Sequence, residues 1–191
     1  MKVKKLLVLV VLLSLWGGTM MFADSVSQKI RIFVNGSELK ENAVLIEGNT
    51  YLPMRQIADT LQSLIIWDES SKKVTLNKPN VHMVTFIGGT KIFGNVTKGD
   101  KLDFDVLAQV DSLSVGISGI KISIFDPYGR EQIIQEKKVS PETDNFWFKT
   151  EKISYKFENT GNYAIRLFMR QAGSDNWSIV SEKKIASKER E

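Results

Sequence analysis

Between Lys101 and Val110 apolar and polar positions alternate. Leu102, Phe104, Val106, Ala108 and Val110 stand against Lys101, Asp103, Asp105, Leu107 and Gln109. A period of two predicts a strand with one buried face, because successive side chains of a pleated chain point to opposite sides. Ile120, Ile122 and Ile124 repeat the pattern against Lys121 and Ser123, and Asp126-Pro127-Tyr128-Gly129 then supplies a turn. Further strands are predicted over 83–87, 91–96, 131–139, 146–157, 162–171 and 177–185. Short strands at this spacing, separated by turn residues, predict a β-sandwich over residues 81–187.

The preceding stretch reads differently. Ile30-Arg31-Ile32-Phe33-Val34 predicts a strand closed by Asn35-Gly36, a strong hairpin signal. Val44-Leu45-Ile46 and Thr50-Tyr51-Leu52 flank Glu47-Gly48-Asn49, which predicts a second tight hairpin. Pro53 opens a short helix, where its missing N–H costs nothing. Met54, Ile57, Ala58 and Leu61 fall at helical spacing and are expected to form its buried stripe, with Arg55 among the residues facing water. Ile65-Ile66-Trp67 and Val74-Thr75-Leu76 predict a last hairpin, in which Trp67 is expected to pack a core. Asn77-Lys78-Pro79-Asn80 separates the two blocks, placing one domain at 27–78 and the next at 81–187. The expected fold class is mainly β: a small α+β unit followed by an Ig-like antiparallel sandwich.

Residues 1–23 follow neither pattern. Lys2, Lys4 and Lys5 precede the apolar run Leu6 to Trp16, and Gly17-Gly18 follows it. The order basic, apolar, small is that of a secretory signal peptide, and cleavage is expected after Ala23. The alternative is retention as an N-terminal anchor, the one expected association with a membrane. Without the three lysines the formal charge falls from +4 to +1. A near-neutral chain lacks the electrostatic footprint for nucleic acid. There is no cysteine, so neither a disulfide framework nor a lipid-bearing cysteine is available.

The first block carries a family resemblance. The run Ile32-Phe33-Val34-Asn35-Gly36, then Glu47-Gly48-Asn49-Thr50-Tyr51-Leu52-Pro53-Met54-Arg55-Gln56-Ile57-Ala58, then Trp67-Asp68 and Lys73-Val74-Thr75-Leu76 resembles the copper amine oxidase N-terminal-like, or stalk, domain of secreted bacterial proteins. Gln62-Ser63 departs from it, since the family has glycine and alanine there. Pro53, Arg55 and Trp67 would be structural residues of that domain. An amine oxidase centre needs three histidines for copper and a tyrosine oxidised to a quinone. This chain has one histidine, His82, so the resemblance implies an appendage and not the oxidase. In the second block Phe157-Glu158-Asn159-Thr160-Gly161-Asn162-Tyr163-Ala164-Ile165 resembles the tyrosine corner of immunoglobulin-like folds, with Tyr163 as the structural tyrosine.

Few residues offer chemistry. His82 is the only imidazole base, and no G-x-S-x-G elbow, P-loop or dinucleotide fingerprint accompanies it. No catalytic residue and no cofactor is expected. Asp100, Asp103, Asp105 and Asp111 form the densest acidic group; calcium binding is one reading, a solvated strand face the other. In Phe146-Trp147-Phe148, alternation puts Trp147 outside if the phenylalanines are inside. Trp147 and Trp177 are therefore the candidate ligand-binding residues, since exposed rings stack on apolar sugar faces and anchor interfaces. The expectation is a non-catalytic binding or adhesion module, secreted or held at the bacterial cell envelope. Its partner would be a cell-wall polymer or an extracytoplasmic protein. The alternative is an accessory subunit or inhibitor of an exported enzyme.

Overall fold

The computed structural model describes residues 29–34, 36–40, 43–140 and 145–190. The export segment read at 1–23 and Asn35 of the first predicted turn lie outside them. The chain forms two compact units that divide between Pro53 and Met54.

The first unit contains β1 (Lys29–Ile30), β2 (Phe33–Val34), β3 (Ser37–Glu38), β4 (Ala43–Ile46) and β5 (Asn49–Tyr51). The strand predicted over 30–34 is split into β1 and β2, which join different pairings. Strand β1 lies on β4 in a three-stranded sheet β1-β4-β5, whereas β2 pairs with β3. Strands β4 and β5 form the predicted antiparallel hairpin. Its two turn residues, Glu47 (φ 48°) and Gly48 (φ 78°), both adopt left-handed conformations. A turn of that hand matches the twist of the strands it joins.

The second unit opens with α1 (Met54–Thr60), directly after Pro53. Only part of the expected stripe is covered: Ala58 is buried and Ile57 half-buried, but Met54 and Leu61 are exposed. A helix of 7 residues presents too short a face to bury four apolar side chains. Its end is sharply defined. The N–H of Ser63 donates to the carbonyl of Ala58 at 2.8 Å while Gln62 takes a left-handed φ of 56°. A helix end of this kind usually uses glycine. The hairpin of β6 (Leu64–Asp68) and β7 (Lys73–Asn77) follows. Leu64 is fully buried within the sandwich core, and the Gln171 side-chain amide donates to the carbonyl of Ile65 at 3.2 Å. The helix and this hairpin thus group with the sandwich.

The sandwich is built from β8 (Asn80–Ile87), β9 (Lys91–Ile92), β10 (Asn95–Thr97), β11 (Lys101–Asp111), β12 (Ile117–Phe125), β13 (Glu131–Lys138), β14 (Phe146–Lys149), β15 (Ile153–Lys156), β16 (Gly161–Gln171) and β17 (Trp177–Lys188). One sheet has the order β10-β17-β16-β12-β13; the other runs β14-β11-β8-β9, with β15 also on β11. Pairing is antiparallel except between β10 and β17, which run parallel. The alternating residues of β11 and β12 point inward as predicted: Phe104, Val106, Ala108, Val110, Ile120, Ile122 and Ile124 are all buried. They meet Ile165, Leu167 and Met169 of β16 and Ile185 of β17. Burying the larger of these side chains, alanine aside, stabilises by about 1.5–3 kcal/mol each.

The segment 146–157, expected as one strand, is two. Thr150 interrupts it by clamping Val106: its hydroxyl accepts from the Val106 N–H at 3.0 Å and its own N–H donates to the Val106 carbonyl at 2.9 Å.

Candidate functional site

The tyrosine corner is present. Tyr163 is buried, its hydroxyl accepts from the Asn159 N–H at 2.9 Å, and its ring meets that of Phe157 edge-on at 5.0 Å. This arrangement fixes the crossing into β16.

The exposed chemistry lies on the outer face of the sheet β14-β11-β8-β9. Phe148 is buried opposite Ala108 and Phe146 packs partly against the core, so Trp147 between them points out and is 67% exposed. Register then decides its neighbours. Gln109 of β11 stands opposite Trp147 on one side and opposite His82 of β8 on the other. Residues directly opposite in a ladder share a face, so Trp147, Gln109 and His82 form one row across three strands. Asp111, opposite Asn80, lies next along the same face, and its carboxylate accepts from the Gln109 amide at 3.0 Å. On the other side of the row lie Lys149, Leu107 and Val84. His82 thus stands beside the Gln109 amide, two strands from the Trp147 ring.

The acidic residues are dispersed rather than convergent. Asp100 accepts from the Thr97 N–H at 2.9 Å and lies 3.6 Å from Arg190. Asp103 is exposed opposite Ser154. Asp105 is only 5% exposed, and its carboxylate pairs with Lys149 at 3.0 Å. A carboxylate taken from water needs such a partner. Among the described residues no group of three or more His, Cys, Asp or Glu is placed to hold a metal ion. The donor set fits neither calcium at Asp100, Asp103 and Asp105 nor a copper centre around His82.

Trp177 does not join Trp147. It lies on the outer face of the other sheet, where its neighbours close around it. The Arg170 guanidinium sits 4.9 Å and the Lys121 ammonium 5.6 Å from its ring centre. Lys121 also lies 4.4 Å from Phe168, and Arg166 4.4 Å from Phe125. This alternation of cations and rings is held further by the ion pairs Arg166–Glu182 at 2.7 Å and Lys121–Glu131 at 3.1 Å. The Ser123 hydroxyl, and then Lys121, hold the Glu131 carboxyl below its ordinary range. Trp177 is half-buried in a stack that satisfies itself, each contact contributing about 0.5–1 kcal/mol.

Trp67 does not pack a core among the described residues. It is 50% exposed, opposite Val74 on the hairpin, and its indole N–H donates to Glu69 at 2.5 Å. A two-stranded hairpin has two faces, and the Trp67–Val74 pair lies on the open one. Arg55 is exposed, and Pro53 is half-buried at the start of the helix.

Residues 33–120 match the copper amine oxidase N-terminal domain family. The matched segment runs from β2 to the middle of β12 and so crosses both compact units. The name refers to the non-catalytic N-terminal part of those oxidases. None of the curated proteins matches the chain. Among solved structures, the CARDB domain of a Pyrococcus furiosus protein, determined in complex with di-metal ions, is 12% identical. That overlap covers 64% of this chain and 99% of that domain, at a TM-score of 0.34. A Listeria innocua β-glucosidase in complex with isofagomine is 9% identical at a TM-score of 0.33; the overlap covers 58% of this chain and 16% of the glucosidase. At these scores the sandwich assignment rests on its own strand order and core.

Proposed function

We propose that the protein is an exported, non-catalytic binding module of the bacterial cell envelope, and that the outer face of β14-β11-β8 is its binding surface. The observation that carries this reading is the row of Trp147, Gln109 and His82. It sets an exposed ring in line with two hydrogen-bonding side chains on successive strands of one sheet. The other sheet's outer face is occupied by its own cations and rings. The basic-apolar-small order of residues 1–23 supports export. The resemblance over residues 29–77 supports an appendage role for the part that precedes the sandwich.

Co-sedimentation of the purified protein with isolated envelope fractions tests this, with Trp147→Ala beside the parent. Binding that is lost in the variant supports the proposal; absence of binding to every fraction overturns it. A second reading, an accessory subunit of an exported enzyme, has its own observation. Trp67, Val74 and Leu76 leave an exposed apolar face on the β6–β7 hairpin, of the kind that protein interfaces cover.

A further inference from the structure

We infer that the ligand of this face is a neutral saccharide, stacked on Trp147 and hydrogen-bonded by Gln109, Asp111 and His82. The inference rests on the proposed binding surface and specifies its chemistry.

Three features of the face favour this class. Trp147 is 67% exposed on a strand whose two flanking phenylalanines pack against the core, so the platform is held by the sheet itself. An aromatic face carries negative charge density and attracts polarised C–H groups, which a pyranose ring presents together on one side. The neighbouring groups are acceptor-rich. Asp111 accepts from the Gln109 amide, and this bond leaves the amide oxygen of Gln109 without a partner among the described residues. The second carboxylate oxygen of Asp111 is likewise uncommitted, and neither imidazole nitrogen of His82 has a hydrogen bond among these residues. The amide oxygen, the carboxylate oxygen and the imidazole nitrogen that carries no hydrogen accept hydroxyl protons, of which a sugar offers several in fixed directions, and the imidazole N–H can donate to a ring or hydroxyl oxygen. Two strand intervals separate Trp147 from His82, about 10 Å, a span that a short oligosaccharide can bridge.

The charges select against the other envelope polymers. Lys149, the cation adjoining the row, is committed to the buried carboxylate of Asp105 at 3.0 Å. Among the described residues, the remaining formal charge beside the row is the negative one of Asp111. An anionic polymer would meet the Asp111 carboxylate beside a lysine that is already ion-paired, and like charges in contact are unfavourable.

The test is titration of the full chain with cellohexaose, chitohexaose, xylohexaose and polygalacturonate, followed by tryptophan fluorescence and calorimetry. The expected result is saturable binding of at least one neutral oligosaccharide, unchanged between low and moderate salt. Trp147→Ala should weaken it at least tenfold, Gln109→Ala several-fold, and Trp147→Phe should retain part of it. A circular dichroism melt of each variant checks that the fold persists, with Trp147 exposed and Gln109 half-buried in the parent. No binding of any neutral oligosaccharide overturns the inference. So does salt-sensitive binding of polygalacturonate alone, or neutral binding that survives Trp147→Ala. Envelope co-sedimentation that depends on Trp147 without oligosaccharide binding would defeat the saccharide assignment and leave the binding surface standing.

Discussion

The hydroxyl of Tyr163 accepts a hydrogen bond from the backbone N–H of Asn159, four residues upstream, at 2.9 Å. The tyrosine is buried among Phe157 and Tyr155, so no water replaces the hydroxyl if it is removed. Tyr163→Phe therefore leaves the Asn159 N–H without its partner and is expected to cost about 1–2 kcal/mol. Urea denaturation should show a lower midpoint with an unchanged slope. An unchanged midpoint would mean that packing alone holds the corner.

Gln62 ends α1 with a φ of 56°. A side chain in this conformation is strained, and glycine is not. Gln62→Gly is expected to stabilise the protein by about 1 kcal/mol, seen as a raised thermal midpoint. Gln62→Val should lower it, since a β-branched residue fits this conformation worse.

Asp68 organises the turn between β6 and β7. One carboxylate oxygen accepts from the N–H of Ser70 at 3.0 Å and from its hydroxyl at 2.6 Å; the other accepts from the Ser71 hydroxyl at 2.5 Å. The Ser70 hydroxyl first, then that of Ser71, hold its pKa down at about 2, against 3.8 for a free aspartate. A folded-state value below the unfolded one stabilises the turn fully above the free value, and that contribution fades as pH falls toward about 2. Carbon NMR of the Asp68 carboxyl should titrate near 2 in the parent, and Ser70→Ala should move the midpoint upward. A parent midpoint near 3.8 would show that the turn is open in solution.

A methyl group at Gly119 would sit 2.9 Å from the Trp177 ring and 3.2 Å from the Arg170 guanidinium. Gly119→Ala must displace that ring from its cations. The expected cost is about 1–3 kcal/mol, the range for overpacking, with a shift in tryptophan emission. Trp147 makes no contact there, so saccharide binding should survive the substitution.

Much of this architecture is legible along the chain because it depends on one strand at a time. The alternation of Leu102 to Val110 states which face is buried, and Tyr163 announces its corner through its neighbours in sequence. Phe146-Trp147-Phe148 shows that one of two faces must carry an exposed ring. What could not be read depends on register between strands. That Gln109 stands between Trp147 and His82 follows from ladder pairings with no local signature. For the same reason Trp177 and Trp147 were equivalent as sequence, though one is stacked between cations and the other is open. The interruption at Thr150 also escaped, because its hydroxyl bonds to Val106, 44 residues away. The placement of Leu64 in the sandwich core is a tertiary fact that hairpin periodicity does not contain.

The parallel pairing of β10 with β17 has a mechanical meaning. The chain enters β10 from its N-terminal side and leaves β17 toward its C-terminus, and in a parallel pair these two ends lie at opposite extremities. Tension applied between the start of β10 and the end of β17 would slide the two strands past each other instead of peeling them apart. The bonds of that patch, with those that β17 shares with β16, would have to fail together. The short β10 is thereby secured to its sheet in shear, along the direction of its own chain.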